Sequence, residues 1–326
     1  MPQWQLTKPV AFFIFNRPET TARVFEVIRQ AAPSTLLVVA DGPRPDRPGE
    51  DERCAAARAI VAGVDWPCKV MTNFSDHNLG CRRRVSSGLD WVFQTVEEAI
   101  ILEDDCLPDQ SFFRFCEELL TRYRDDPRIA MISGNNFQQS AGKGEGSYYF
   151  SRYPEIWGWA TWRRGWELYD VDMKLWPMFR SGGWLESTFP QRRLARFWRD
   201  AFDAVHSGGF DTWDYQFTFS CLRHNALCVM PSVNLVSNLG FGADATHTKT
   251  GCRLSKLPTE PMSFPLRHPR HITRDISADR ATEKEQHNPL DLLQKLRIIL
   301  RLLFRRTAVS GSHAGAAVMA GEHDVT

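Results

Sequence analysis

The sequence predicts an α/β fold, with a mostly parallel sheet flanked by helices and a C-terminal helical tail. Three observations carry that prediction. Apolar runs of strand length alternate four times with stretches of helical periodicity. Each run stops at polar residues, and right-handed crossovers would bring those stops to one rim of the sheet. Near the end of the chain, Asn288-Pro289 opens an apolar stripe at helical spacing.

The elements follow in order. Val10 to Phe15 reads as the first strand and runs into Asn16-Arg17-Pro18. Glu19 to Ala31 carries Ala22, Val24, Phe25 and Ile28 on one helical face. Thr35 to Ala40 is a second buried strand, ending at Asp41-Gly42. A polar helix near Glu50 to Ala62 and a strand near Lys69 to Phe74 come next. After Asn78-Leu79-Gly80, a helix through Val85, Leu89, Val92 and Phe93 leads to the fourth strand, Ala99 to Leu102. Such β-α alternation implies parallel strands covered by helices on both faces.

The fourth strand ends in Glu103-Asp104-Asp105. Three adjacent carboxylates repel one another, so a buried strand ending this way needs a cation, a set of donors or open water. Ligands of open α/β sheets bind outside the carboxyl ends of the strands. A hard divalent cation, itself holding a phosphate, suits that position. Capping of the next helix accounts for Asp109 but leaves the acidic run unexplained. With Asn16, Arg17, Asp41 and Asn78 ending the preceding strands, a nucleotide-sized site is expected on this rim. The chain lacks both the GxGxxG fingerprint and the P-loop, so metal and side chains are expected to hold the phosphates.

Beyond the cluster, Ser111 to Arg124 is an amphipathic helix, Arg128 to Ser133 a strand, and Gln138 to Gly146 a polar loop. Six tryptophans from Trp157 to Trp184 crowd one segment. Aromatic rings pack in cores and also stack on sugar faces, so about half are read as core, with one or two, Trp157 or Trp159, as acceptor contacts. Arg192 to His206 is a further amphipathic helix, and Tyr215 to His224 a helix preceded by Asp214. Asp214 lies between Trp213 and Tyr215, where desolvation favours proton-accepting chemistry. It equally suits the helix N-terminus as a cap. A last strand runs from Cys228 to Leu235, and His247 follows in a Gly-rich stretch, available to a metal or a diphosphate.

Composition narrows the classes. The 326 residues are 43% hydrophobic and 24% charged, ordinary for a globular protein, and the net charge of +1 gives no pull toward nucleic acid. Eight cysteines without CxxC pairs or zinc spacing read as free thiols of a reducing cytoplasm. No apolar run reaches transmembrane length, and Val10 to Phe15 is too short for a signal peptide. Leu292, Leu293, Leu296, Ile299, Leu300 and Leu303 form the apolar stripe of the tail, beside Lys295, Arg297, Arg301, Arg305 and Arg306. This basic amphipathic helix, 288–306, fits peripheral contact with the inner face of a membrane, and docking on its own domain or a partner is the alternative. The remainder, 307–326, has a disordered composition.

With these residues placed, the chain resembles GT-A nucleotide-sugar glycosyltransferases over about Val10 to His247. It is similar to the N-acetylglucosaminyltransferase I family and to bacterial family-2-like sugar transferases. Glu103-Asp104-Asp105, followed by Leu107-Pro108-Asp109 and Phe112-Phe113, resembles that group's variant of the Asp-x-Asp motif and its next helix. Trp157-Gly158-Trp159 resembles its Gly-x-Gly-Trp turn, and Trp213-Asp214 the pair carrying its catalytic base. Tyr215 departs from the pattern, standing where the eukaryotic enzyme has a second acidic residue.

The resemblance implies a Rossmann-like domain over 1–255, with a donor half (1–137) and an acceptor half (138–255), then a linker over 256–287. It implies that Asp105 ligates Mn2+ or Mg2+ while Glu103 and Asp104 face ribose and donor sugar. Asn16, Arg17 and Asp41 would hold the nucleoside beside the Asn78–Gly80 turn. Arg83 would meet the diphosphate, with Arg82 and Arg84 as alternatives. The implied reaction moves a sugar from a nucleotide-diphosphate donor, UDP-sugar favoured, to a hydroxyl on a glycan, lipid-linked saccharide or protein, with inversion. Its rivals are a sugar nucleotidyltransferase, which would need a Gly-rich basic loop where Asn16-Arg17-Pro18-Glu19 stands, and a non-catalytic nucleotide-sugar-binding protein.

Overall fold

A computed structural model describes residues 4–138, 146–240 and 257–286. Its centre is an eight-stranded sheet in the order β3-β2-β1-β4-β8-β6-β9-β7. These strands are β1 (Val10–Ile14), β2 (Thr35–Ala40), β3 (Lys69–Phe74), β4 (Glu98–Glu103), β6 (Ile129–Ser133), β7 (Tyr148–Ser151), β8 (Trp159–Trp162) and β9 (Leu227–Pro231). The first four pair in parallel as expected, and β6 is parallel to β9. The mixed character comes from β8, which lies antiparallel between β4 and β6, and from the antiparallel edge strand β7.

Strand geometry sends alternate side chains to opposite faces. Val10, Phe12 and Ile14 of β1 join one core with Leu36, Val38, Ile100 and Leu102. Ala11 and Phe13 join the other with Leu37, Val39, Ala99 and Ile101. Helices α1 (Pro18–Ala31), α2 (Glu50–Val61) and α4 (Ser111–Arg122) cover the first face; α3 (Gly80–Thr95) and α9 (Asp214–Arg223) cover the second. Both faces are buried, which is why these strands read as unbroken apolar runs.

Four short or amphipathic helices, α5 (Arg163–Trp166), α6 (Trp176–Ser181), α7 (Trp184–Thr188) and α8 (Arg192–His206), follow β8. The last three close a separate aromatic core around Trp176, Trp198, Phe202 and Phe219 of α9. The strand expected from Cys228 to Leu235 ends early, and a separate strand starts beyond it. β9 stops at Pro231, and β10 (Val236–Asn238) pairs antiparallel with β5 (Cys106–Pro108), a strand not foreseen immediately after the acidic run.

The segment expected as a linker contains α10 (Ile276–Glu285). Asp275 caps it through the Ser277 and Ala278 N–H groups. Its buried Asp279 accepts from Ser151 Oγ at 2.5 Å and pairs with Arg274. Glu283 meets Arg152 at 2.9 Å and the Tyr153 hydroxyl at 2.8 Å. The polar sequence of α10 hid this packing, because ion pairs rather than an apolar stripe anchor it. The segments expected as a tail helix (288–306) and as a disordered remainder (307–326), and His247, all lie outside the described residues.

Candidate active site

A cleft of about 420 Å³ opens at the carboxyl ends of β1, β2 and β4. Its walls carry Arg17, Asp41, Asn78, Gly80 and Glu103 to Asp105 from the first half of the chain. From the second half come Trp157 and the run Phe210 to Tyr215. Residues more than a hundred positions apart therefore converge on one space.

The acidic run is held from the β1 side. Asp104 Oδ2 accepts the Phe15 N–H at 2.9 Å, and Arg17 Nη1 donates to Asp105 Oδ2 at 2.7 Å. Arg17 lies 3.8 Å from Asp104 Oδ1. One guanidinium thus reaches two of the three carboxyls. Burial, and then the Asp105 charge, push the Asp104 pKa well up against the opposing pull of Arg17. Burial likewise raises Glu103, with Asp105, Asp104 and Asp214 adding to it. Chain from β10 crosses directly over the run, where Leu239 N–H donates to Asp105 O at 2.7 Å. At Gly240 a Cβ would lie 2.1 Å from Asp105 Oδ2, so any larger residue would push the carboxylate aside.

Asp41 is saturated by its own fold. Its carboxylate accepts from Gly42 N–H at 2.9 Å, Leu79 N–H at 2.9 Å, Gly80 N–H at 3.2 Å and Asn78 Nδ2 at 2.9 Å. Burial raises its pKa and these donors pull it back. Asp41 is therefore first a clasp for the turn between β3 and α3. Asn78 is the other half of that clasp.

Asp211 reaches the same helix from the opposite half. Its two oxygens accept Cys81 N–H and Arg82 N–H, each at 3.0 Å, at the N-terminus of α3. Backbone donors there have no intrahelical partner, so a carboxylate caps them well. Gly80, at φ +77°, completes the junction, because a Cβ there would lie 2.6 Å from Asp211 Oδ2. Three residues on, Asp214 is the first residue of α9 rather than its N-cap, which is Trp213. Asp214 Oδ1 accepts from Thr212 Oγ1 and from Tyr215 N–H at 2.9 Å. Its Oδ2 has no partner among the described residues and faces a cleft that Asp214 lines.

Not every expected residue reaches the cleft. Asn16 turns away and donates to Glu50 at 2.8 Å. Glu50 in turn holds Arg44, a cleft residue that was not foreseen. Arg83 is exposed and off the cleft wall, since its helical position points outward. Arg84, one residue on, lines the cleft and donates to Asn73 O and Oδ1 at 2.7 Å. Trp159 is core: it is 1% exposed and stacks on Trp213 at 5.6 Å, because β8 is an interior strand. Trp157 remains on the wall, half-buried, with its ring 4.9 Å from Phe137. Gly240 is a position the sequence left unread, and Asp211 stood there only as the acid to consider after Asp214. Their signals, a second acid in Asp211-Thr212-Trp213-Asp214 and a glycine after Asn238-Leu239, gain meaning only from what they touch.

The residues fit a divalent cation in one specific sense. Among the described residues no three His, Cys, Asp or Glu side chains form a metal-holding cluster. Three carboxyls against one guanidinium nevertheless leave the run short of positive charge. Mg2+-type sites commonly use one or two carboxylates and take their remaining ligands from substrate phosphates. Asp105 lines the cleft, with its Oδ2 on Arg17.

Fold and cleft together define an α/β protein with a polar site at the carboxyl ends of a parallel half-sheet, where such sheets bind ligands. No family model matches the chain, and no curated protein sequence does. Among solved structures it is similar to a UDP-glucose pyrophosphorylase complexed with UDP-glucose, at 12% identity, TM-score 0.27, over 46% of this chain and 63% of that one. It is also similar to a mannosyltransferase from Pyrobaculum calidifontis in complex with GDP-Man and Mn2+, at 12% identity, TM-score 0.36, over 69% and 70%. The chain spans less than two thirds of the pyrophosphorylase's length. At these scores the reading of the site rests on its own geometry.

Proposed function

We propose that this chain is a metal-dependent, inverting glycosyltransferase that moves a sugar from a nucleotide-diphosphate donor to an acceptor hydroxyl. The observation that carries the reading is the meeting, in one cleft, of the Glu103 to Asp105 run with an Asp214 carboxylate that keeps one oxygen unengaged among the described residues. The resemblance of both motifs to the GT-A pattern supports it and favours a UDP-sugar.

In this reading Arg17 and the rim around Asp41 position the nucleotide, and Trp157 offers an aromatic face to the acceptor sugar. Thr212 and the Tyr215 N–H fix Asp214 Oδ1, which aims Oδ2 at the acceptor. Asp214 Oδ2 takes the proton from the acceptor hydroxyl. That oxygen forms its bond to the anomeric carbon as the bond to the diphosphate breaks on the opposite side, so the configuration inverts. A Mn2+ or Mg2+ ion held by Asp105 would supply charge neutralisation at the departing diphosphate.

Asp214→Asn tests this directly. Asparagine keeps the shape and the contacts of Oδ1 but does not accept the proton. General-base assistance is worth about 10² to 10⁴ in rate, so turnover falls by that much while donor affinity holds. Nucleoside diphosphate release, measured with the donor dissociation constant, checks it; parental turnover removes Asp214 from the chemistry.

A further inference from the structure

A second groove, of about 670 Å³, runs along β7, the edge strand at the opposite end of the sheet from β3. Its outer wall is an arch of chain from Arg267 to Asp275, pinned to the strand at both ends. Ser147 N–H donates to Arg267 O at 2.8 Å, and Arg267 N–H donates to Ser147 Oγ at 2.9 Å. At the far end Asp275 N–H donates to Phe150 O at 2.8 Å. The backbone of the arch is thereby fixed without using its side chains.

Some of those side chains are engaged. Arg274 is paired with Asp279, and Asp275 is occupied as the cap of α10. His268 Nδ1 lies 2.9 Å from the Tyr148 hydroxyl, and its Nε2 lies 3.3 Å from Glu118. Arg267, Arg270 and His271 are exposed and have no carboxylate partner among the described residues. Two guanidinium groups and an imidazole on one pinned arch, with the nearby acids already committed, make the groove electropositive in a chain of net charge +1. Guanidinium forks match phosphate oxygens in pairs. The volume lies in the range of ligand-sized sites.

We propose that this groove is a second, phosphate-binding site, separate from the cleft, in which Arg267 and Arg270 grip the phosphate. The phosphate can belong to a soluble phosphorylated molecule or to a lipid headgroup, and the two sources are separable. The full chain and an Arg267→Glu/Arg270→Glu variant are compared by titration calorimetry with sodium pyrophosphate in EDTA. Both are also sedimented with phosphatidylglycerol vesicles and with phosphatidylcholine vesicles. Both side chains are exposed and the arch is held by main-chain bonds, so the variant folds, and an unchanged thermal midpoint checks it. The cleft contributes equally in both proteins.

Removing charge-assisted hydrogen bonds weakens binding about tenfold or more per contact. A loss of that size for pyrophosphate, with vesicle binding unchanged, assigns the groove to a soluble phosphate. A loss of phosphatidylglycerol binding, with or without the pyrophosphate effect, assigns it to headgroups. Equal behaviour of the two proteins in both assays overturns the proposal.

Discussion

Asp211→Ala isolates the junction between the two halves of the chain. The substitution strips the two N–H groups at the start of α3 of their acceptor, an ionised one placed at the positive end of a helix. Loss of a helix cap costs about 0.5 to 2 kcal/mol. Hydrogen bonds to a charged group are each worth about 1.5 to 3 kcal/mol when shielded. Asp211 is exposed, so water replaces part of what is lost and the sum is discounted for screening. The expected cost is about 1 to 2 kcal/mol, or a fall of roughly 2 to 8 °C in Tm for a domain of this size. Asp211→Asn, which caps comparably, retains most of the stability and, unlike Asp214→Asn, keeps turnover. Urea unfolding of both variants beside the parent measures the difference. If Asp211→Ala unfolds at the parental midpoint, the cap contributes nothing and the junction is held by apolar packing alone. If Asp211→Asn loses turnover as Asp214→Asn does, Asp211 belongs to the chemistry.

Three further outcomes are expected. Asp105→Ala abolishes transfer and Mn2+-dependent nucleotide binding while leaving the fold intact, because it relieves repulsion within the run; a parental transfer rate would mean the run is structural. Glu50 is fully buried, and although burial raises its pKa, the Arg44 side chain, the Arg44 N–H and Asn16 outweigh that and hold it at about 2. Folding thus lowers this pKa, so the contribution is complete above the ordinary value of 4.5 and is lost as pH falls toward 2. It amounts to about 3 kcal/mol, and stability-against-pH curves of the parent and Glu50→Gln should converge at low pH. Trp159→Ala costs about 3 to 5 kcal/mol in stability as a core truncation, whereas Trp157→Ala raises the acceptor KM with a smaller loss of stability. Identical effects of the two substitutions would contradict their different placements.

Local chemistry alone announced the parallel half of the sheet. Strands buried on both faces must be apolar throughout, and β1, β2 and β4 carry that mark without any need of their neighbours. The acidic run was equally legible, since three carboxylates ending a buried strand are costly wherever they stand. So was Asp214, set between aromatics. Tertiary structure decided what those residues face. Trp157 and Trp159 look alike in sequence, and only the insertion of β8 between β4 and β6 sends one to the core and leaves the other on the wall. Arg83 and Arg84 differ by one helical step of about 100°, too small a difference for a pattern of apolar residues to settle. The roles of Asp211 and Gly240 depend on partners 129 to 130 and 135 positions away. Such contacts leave no periodicity behind, because periodicity records which way a side chain points from its own element and not what the rest of the chain brings to meet it.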